Sequence, residues 1–249
     1  MLDGRFIDAT MGDAYSNLAA EEAMFRLNCT ATLRVWDNQR SVVIGRAQLA
    51  RFETDLEYCE KHQVPVVRRF TAGGAVYNGP GNVNWSFFVA RSAGHQRMRY
   101  SQDARDVFAS FASIVQEALA DCSVACRFVP PNAIANSEGK ISGMAAYLSR
   151  DRVVCHGTLL LNADIEEVTK LTRPADLAVE RRYPRSNFVK VANAGTDRRA
   201  FVLSLRKAAG INGEGDAMTE EERETIRLLE PKYRSREWNL GDPFALDDV

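Results

Sequence analysis

Alternating hydrophobic and polar positions predict short strands along the first two thirds of the chain. Val83, Trp85, Phe87 and Val89 alternate with mostly polar neighbours, the pattern of a strand with one face in a core. Further apolar runs predict strands at 33–36, 42–45, 64–69, 124–129, 144–148 and 153–162. The polar turn between the first two runs favours a hairpin, and turns at 137–139 and 149–152 favour an antiparallel meander.

Helical spacing is clearest between 101 and 122. There Val107, Phe111, Ile114 and Ala118 recur on one face behind a Ser101 cap. The same reasoning predicts helices over 16–27, 55–61, 164–171, 198–209 and 219–230.

Capping residues locate two helix starts. Ser16 is the predicted cap of the first helix, and Thr219 with Glu222 forms a capping box. Pro231 is expected to end or kink that last helix, and the Pro- and Arg-punctuated stretch 173–187 is expected to be an irregular loop. Strands in runs with helices set apart favour an α+β fold, with mixed or antiparallel sheets flanked by helices.

Composition limits the classes of function. The 249 residues are 45% hydrophobic and 26% charged, which is ordinary for a globular protein. Lys and Arg number 32 against 33 Asp and Glu, so no overall field favours nucleic acid or anionic membrane as a partner. Any phosphate recognition is therefore local. Without a leader-like or membrane-spanning apolar run, a cytoplasmic protein is expected.

Cysteine spacing argues against a disulfide framework and against a structural zinc site. The five cysteines form no C-x-x-C pair, and no other metal-ligand cluster stands out, so no metal site is predicted. Buried small hydrophobes are the simpler interpretation for Cys29, Cys59, Cys122, Cys126 and Cys155.

The stretch RRFTAGGAVYNGPGN (68–82) carries the strongest chemical signal. Glycines allow backbone N–H groups to point at an anion, and the two arginines offer forks for phosphate or carboxylate. The loop lacks the Walker A lysine, and a strand follows it where a dinucleotide motif would have a helix. A glycine-rich hairpin with solvated arginines is the alternative interpretation.

Two further side chains are candidates. Lys140, after the turn ANSEG, is either solvated or a fixed cation between a carboxylate and a phosphate. His156 is either a base or a hydrogen-bonded core residue. His62 and His95 are given no role, and Cys126 and Cys155 have no adjacent base. Phosphate-handling chemistry without a covalent enzyme intermediate fits these residues best.

Several motifs together resemble the lipoate-protein ligase family. RRFTAGGAVYNGPGNVNWSF is similar to the family's R-R-x-[ST]-G-G-G-A-V-[YF]-H-D-x-G-N-x-N-x-S-F signature, and EGKISGMAAY to its G-K-K-I-[SM]-G-x-A segment. NLAAEEAMF, RSVVIGRAQ, HGTLLLN, KVANAG and KYRSREWNLG match further pieces in order, so the resemblance covers about residues 15–241. It implies the biotin/lipoyl protein ligase type of catalytic domain.

The resemblance implies a two-step reaction with ATP, lipoate and Mg²⁺ bound with the nucleotide. Lipoyl-AMP forms first, and a lysine of a carrier protein then takes the lipoyl group. Lys140 would be the catalytic residue, between the acyl carbonyl and the α-phosphate. The implied lipoate and ATP contacts are Arg69, Thr71, Gly73, Gly74, Ala75, Val76, Tyr77, Asn78, Lys140, Ala145 and His156.

Three departures mark a divergent member. Ala72 replaces the first loop glycine, which restricts φ there. Asn78 and Gly79 stand where the family has His-Asp, which removes an ionisable pair. Asn132 is followed by Ala133 where the family often has Asn-Asp.

The resemblance also implies partners. The carrier would be a lipoyl domain, a glycine cleavage H protein or a related lipoate-binding protein. Residues 1–249 are expected to be one catalytic domain without the C-terminal accessory domain of longer members, and a small accessory subunit is a possible partner.

Three alternatives remain open at this stage. One is an octanoyl or lipoyl transferase that uses a cysteine thioester, for which Cys126 is the nearest candidate to the segment 131–134. The others are a biotin ligase, which shares the sheet fold without this glycine loop, and a binding module that has lost activity.

Overall fold

A computed structural model describes residues 4–27, 30–90, 103–172, 182–187, 189–211 and 217–246. Cys29, His95 and the predicted Ser101 cap lie outside these residues, as does part of the predicted loop. The described part of that loop, 182–187, has neither helix nor strand, as expected.

In the described ranges, ten strands form two mixed sheets. They are β1 (Arg5–Asp8), β2 (Thr32–Trp36), β3 (Ser41–Ile44), β4 (Val66–Arg68), β5 (Val76–Asn78), β6 (Asn82–Ala90), β7 (Arg127–Val129), β8 (Ala133–Ala135), β9 (Lys140–Leu148) and β10 (Arg152–Leu160). The large sheet has the order β1-β2-β6-β10-β9-β8-β7, and the small sheet has the order β4-β3-β5. One pair in each sheet is parallel, β1 with β2 and β3 with β4, and the other neighbours are antiparallel.

Seven α-helices of the described part of the chain flank the sheets. They are α1 (Ala14–Leu27), α2 (Leu56–Lys61), α3 (Ala104–Asp121), α4 (Ile165–Leu171), α5 (Arg198–Ala208), α6 (Glu220–Arg234) and α7 (Arg236–Leu240). The helices α3 and α5 share a core with one face of the large sheet, and α1 and α6 share a core with the other. A third core joins the small sheet to α2 and α4. The predicted α+β class is confirmed.

The predicted hairpin between the runs 33–36 and 42–45 is wrong. The strand β2 pairs with β1 and β6 in the large sheet, whereas β3 pairs with β4 and β5 in the small one. Asn17 of α1 explains the separation, because its side-chain amide donates to the Asp37 carbonyl at 3.1 Å and to Asn38 Oδ1 at 2.9 Å. The turn is thereby attached to α1, and the chain passes on to the second sheet. The predicted meander is confirmed as β7 to β10.

Helix ends differ from the predictions at three places. Helix α3 begins at Ala104 with Asp103 as its N-cap, where the sequence predicted Ser101. Ser16 does not cap α1, because the helix begins at Ala14 and Asp13 Oδ1 accepts the Ser16 backbone N–H at 2.8 Å. Helix α6 does not end at Pro231 but continues to Arg234. The Thr219–Glu222 capping box is present. Strands β1, β5 and β8 were not predicted, since each is only three or four residues long.

No helix in the described ranges is both long enough and apolar enough to cross a bilayer.

Candidate functional site

A row of four paired residues crosses the large sheet on its α1 side. Gly143 of β9 pairs with Thr158 of β10, which pairs with Asn84 of β6, which pairs with Trp36 of β2. Paired residues of antiparallel strands point to the same face. Three steps of roughly 4.8 Å give a floor about 14 Å long, from Gly143 to Trp36. Its centre is formed by small or short side chains, which leaves room above the sheet.

A cavity of about 420 Å³ lies over this floor. Leu18 and Glu21 of α1 form one wall, the glycine loop another, and the segments 129–133 and 185–187 complete it. A smaller cavity of about 90 Å³ shares Ala75, Lys140 and Ser186 with it and extends towards α4. Lys140 lines both cavities, so a ligand in either one lies beside this residue.

The glycine loop folds tightly beside the small sheet. Gly73 has φ +102°, a conformation that favours glycine. Gly45 allows the close approach, because a Cβ there would lie 2.1 Å from the Gly73 carbonyl oxygen. Strand β5 then begins at Val76, so the loop ends two residues after Gly74.

Arg69 lines the cavity, and its guanidinium holds the loop from inside. Nη2 donates to the carbonyls of Ala72 at 2.7 Å and Gly74 at 2.9 Å, and Nε donates to Thr71 Oγ1 at 3.1 Å. Burial lowers the pKa of Arg69 to about 10, so the group remains a cation at neutral pH. That Arg69 also contacts nucleotide phosphates stays a prediction.

Arg68 points away from the cavity. Its guanidinium is fully buried and donates to main-chain carbonyls, among them Trp238 at 2.6 Å, Arg46 at 2.9 Å and Gly241 at 3.0 Å. The expectation that both arginines face one anion therefore does not hold. Arg68 joins α7 to the small sheet.

Lys140 lies between the two cavities, at the Gly143 end of the floor. Its backbone is fixed by hydrogen bonds with Lys190 and Ala192, each 2.9 Å long. Its ammonium has no hydrogen-bond acceptor and no carboxylate partner in the described part of the chain, whereas Lys170, Lys207 and Lys232 each pair with an acid. Burial and the charge of Arg69 lower the pKa of Lys140. An unpaired, largely buried cation of this kind favours an anionic ligand.

A chain of hydrogen bonds lies along the next row of the sheet. Ser86 Oγ and His156 Nδ1 both contact Glu21 Oε1, the latter at 2.8 Å, and His156 Nε2 contacts Thr71 Oγ1 at 2.8 Å. Burial raises the pKa of Glu21, but His156, Ser86 and Arg34 together outweigh it and lower the pKa overall. The network connects α1 and the sheet to the glycine loop.

Three buried polar atoms of residues that line the large cavity have no hydrogen-bond partner within the described residues. They are Glu21 Oε2, Asn78 Oδ1 and Asn84 Nδ2. Buried polar groups are otherwise nearly always paired, so these atoms indicate that a polar ligand or water completes the site. Asn78, which replaces the family's histidine, still faces this space.

Most of the residues singled out in the sequence come together here. Those lining the large cavity are Arg69, Gly74, Ala75, Val76, Asn78, Lys140, Ala145 and His156. Tyr77 lines the small cavity and donates its hydroxyl to Glu167. Thr71 bonds to His156, and Gly73 lies against Arg69 and Ala145.

Sequence reasoning missed the residues that complete the walls. Glu21 and Trp36 come from α1 and β2, and Arg185 and Ser186 come from the irregular segment. The buried acid in the apolar run LAAEEAMF was the available signal for Glu21. The sequence carries no such signal for Arg185 or Ser186, because their positions depend on contacts with residues that are distant in sequence.

Cys126 does not line either cavity. It packs against the core on the opposite face of the large sheet, and burial raises its pKa, which disfavours the thiolate. Cys155 is fully buried in the same core.

The family model described as "Lipoyl protein ligase A/B catalytic domain" matches residues 13–194. The chain is 29% identical to "Lipoate-protein ligase A subunit 1" of Thermoplasma acidophilum, over 93% of this chain and 94% of that one. It is 30% identical to "Lipoate-protein ligase LplJ" of Bacillus subtilis, over 95% of this chain and 73% of that one.

Solved structures of lipoate protein ligases are also similar to this chain. A bi-partite lipoate protein ligase of T. acidophilum, described with its E2 lipoyl domain, superposes with a TM-score of 0.83 at 25% identity, covering 100% of both chains. A putative lipoate protein ligase of the same organism with bound lipoic acid has a TM-score of 0.81 at 25% identity, covering 96% and 100%. A lipoate-protein ligase A bound with ATP has a TM-score of 0.83 at 25% identity, covering 96% and 99%.

Proposed function

The chain belongs to the lipoyl protein ligase A/B catalytic domain family, and from this premise we propose that it is an ATP-dependent lipoate-protein ligase. It would join lipoate to ATP and transfer the lipoyl group to a lysine of a carrier protein. The unpaired ammonium of Lys140 between two cavities carries this proposal. Relatives solved with lipoic acid and with ATP support both substrates.

In the first step a lipoate carboxylate oxygen attacks the α-phosphorus, and the bond to the β-phosphate breaks with release of pyrophosphate. Two anions must approach each other, which is unfavourable without a cation between them. We place the acyl chain over the floor towards Trp36 and the phosphates of the nucleotide at the Lys140 end of the large cavity. The ammonium then lies between carboxylate and phosphate and relieves their repulsion.

In the second step the carrier's lysine amine attacks the acyl carbonyl, and the carbon–oxygen bond to AMP breaks. The amine proton leaves to solvent or to the departing phosphate. Negative charge grows on the carbonyl oxygen, and Lys140 stabilises it from the position it already holds. No nucleophile of this chain is needed, because the carrier supplies it.

The chemistry assigns Mg²⁺ to the nucleotide. The described residues contain no cluster of three His, Cys, Asp or Glu side chains that could hold a metal ion. We propose that Mg²⁺ enters with the nucleotide, whose phosphate oxygens supply ligands of the kind that this ion prefers.

A lipoyl carrier domain is the proposed protein substrate. The relative described together with an E2 lipoyl domain supports this class of partner. The solved relative is described as bi-partite, and the similar sequence from the same organism is named subunit 1. We therefore also propose that a second polypeptide assists this chain.

Two alternatives from the sequence lose support. The cysteine-dependent transferase needs a reactive thiol in the cavity, and Cys126 lies outside it with a raised pKa. A binding module without activity has no need of an unpaired cation at the junction of two cavities, since that cation costs stability.

The test is direct. The protein is incubated with ATP, Mg²⁺, lipoate and a purified lipoyl domain, and the carrier is weighed by mass spectrometry while pyrophosphate is assayed. We expect the lipoyl adduct and pyrophosphate release only with both substrates. Lys140→Met should lower pyrophosphate release about a hundredfold or more, and Cys126→Ala should leave it unchanged. ATP-independent transfer that Cys126→Ala abolishes would contradict the proposal.

A further inference from the structure

Arg185 places a second cation at the large cavity. It lies in the segment 182–187, and no sequence motif pointed to it. Its Nε donates to Glu53 Oε1 at 2.8 Å, and its Nη2 donates to the Phe52 carbonyl at 2.5 Å. Its Nη1 has no hydrogen-bond partner among the described residues, and its side chain is 21% exposed. One edge of the guanidinium is therefore fixed, and the other is available to a ligand.

Arg69, which also lines the large cavity, uses its hydrogen-bond donors differently from Arg185. Arg69 directs Nε and Nη2 to the glycine loop, and its Nη1 makes a contact of 3.4 Å with the Val43 carbonyl. Its donors hold main-chain oxygens in place. Of the two arginines that line the cavity among the described residues, Arg185 is thus the one with a nitrogen, Nη1, that donates no hydrogen bond to them.

Glu53 fixes Arg185. This carboxylate is 2% exposed, and it accepts Arg185 Nε on Oε1 and both the backbone N–H and the hydroxyl of Ser186 on Oε2. Both oxygens are thus used by two consecutive residues of one segment. A carboxylate that holds one edge of a guanidinium sets the plane of its fork.

Ser186 connects the same group to the glycine loop. Its hydroxyl oxygen accepts the Ala75 N–H at 2.7 Å and Gln48 Nε2 at 3.1 Å. The Ala75 amide is therefore occupied by protein, so this part of the loop does not supply a free donor for phosphate. A phosphate in the large cavity needs another partner, and Arg185 directly precedes the serine that holds this amide.

We propose that Arg185 binds the β- and γ-phosphates of the nucleotide through its free edge, and that Glu53 is the residue that positions it. The inference rests on the proposed function, in which Lys140 serves the α-phosphate and the carboxylate. The pyrophosphate that leaves carries most of the charge of the nucleotide. Lys140 cannot contact both the α-phosphate and the β- and γ-phosphates. A planar fork with two parallel N–H donors matches phosphate oxygens.

The chain contains a matched control pair. Glu222 is also 2% exposed, accepts both Nη atoms of Arg5 at 2.8 and 3.0 Å, and accepts the Thr219 backbone N–H at 2.7 Å. Neither Arg5 nor Glu222 lines either cavity. Glu222→Gln therefore reports what the loss of a buried Glu–Arg pair costs in stability, without changing the site.

The experiment measures binding of ATP and AMP by titration calorimetry, and lipoate binding in parallel. Arg185→Met should weaken ATP binding about tenfold or more, which corresponds to one lost charge-assisted contact. AMP and lipoate binding should change less than about twofold. Arg185→Lys should recover part of the loss, because it retains the charge without the fork.

The positioning role has its own readout. Glu53→Gln should weaken ATP binding in the same direction as Arg185→Met, and the double variant should be no weaker than Arg185→Met alone. Glu222→Gln should lower the melting temperature without altering the ATP to AMP affinity ratio. If Arg185→Met and Arg185→Lys both bind ATP like the wild type, Arg185 has no phosphate role.

Failure of the proposed function gives a different pattern. A wild type that binds ATP without lipoylating any carrier contradicts the ligase, and the ATP to AMP comparison still decides the role of Arg185. Equal losses of ATP and AMP affinity in Arg185→Met would overturn the assignment to the β- and γ-phosphates.

Discussion

Gly143 leaves the space that the ammonium of Lys140 occupies. A Cβ at position 143 would lie 2.9 Å from Lys140 Nζ and 3.0 Å from its Cε, and beyond the adjacent residues it would meet no other heavy atom of the described residues within 4 Å. Both residues lie on β9, so the strand provides the cation and the room for it. The glycine is thus part of the site, although it cannot contact a ligand through a side chain.

Gly143→Ala should displace the ammonium at little cost in stability, because the end of a lysine side chain moves easily. We expect pyrophosphate release to fall about tenfold or more and the free energy of unfolding to change by less than about 1 kcal/mol. Urea unfolding and the pyrophosphate assay check the two parts. Gly12→Ala is the control, since a Cβ at Gly12 meets nothing within 4 Å. Full activity in Gly143→Ala would show that the position of the ammonium does not matter.

The pH dependence of adenylate formation should report Lys140. Burial, together with the charge of Arg69, lowers the pKa of this ammonium from 10.5. The charged form is the active one, so kcat/KM should fall on the alkaline side at a pH below 10.5. This alkaline fall in kcat/KM should be absent in Lys140→Arg, whatever the absolute rate of that variant, because arginine keeps its proton in the same pH range. An unchanged alkaline fall in kcat/KM in Lys140→Arg would assign the titration to another group.

Trp36 should limit the length of the acyl chain. It ends the floor row opposite Lys140, and its Nε1 donates to Ser86 Oγ at 3.2 Å. Trp36→Val should raise kcat/KM for acids longer than lipoate about tenfold relative to lipoate. Competition assays with acids of graded length measure the ratio, and Trp36→Phe should give a smaller shift. A constant ratio in both variants would contradict the proposed direction of the acyl chain.

Glu21 should make stability depend on pH in the acid range. Burial raises its pKa, but the charge and hydrogen bond of His156, with Ser86 and Arg34, lower the net value below 4.5. A carboxylate whose folded-state pKa is depressed stabilises the fold above its unfolded value, and this contribution is lost as pH falls through the folded value.

Glu21→Gln removes this titration. The difference in unfolding free energy between wild type and Glu21→Gln should be constant above about pH 5 and should shrink below pH 4.5. Urea unfolding across this range measures it, and the exposed Glu57→Gln controls for the change in net charge. A difference that grows on acidification would mean that burial dominates.

Local signals predicted much of the fold. The alternation in β6, the periodicity of α3 and the Thr219–Glu222 capping box each depend on neighbouring residues, and all three are present. The prediction of a hairpin of β2 and β3 failed because Asn17, which is distant in sequence, holds the turn between them and directs the chain to a second sheet. The prediction of a Ser16 cap failed because the helix begins earlier, at Ala14, and Asp13 accepts the Ser16 backbone N–H within the first turn.

The motifs of the amino-acid sequence determined the family, the glycine loop and Lys140, because those features are written in consecutive residues with fixed spacing. Tertiary structure alone decided what each charged group does. Arg68 ends β4 and Arg69 follows it directly, and consecutive residues of an extended chain point to opposite faces. Arg68 therefore bonds to α7, while Arg69 holds the loop. Arg185 and Glu53 are 132 positions apart, and only packing brings the two charges together and leaves one edge of the guanidinium free.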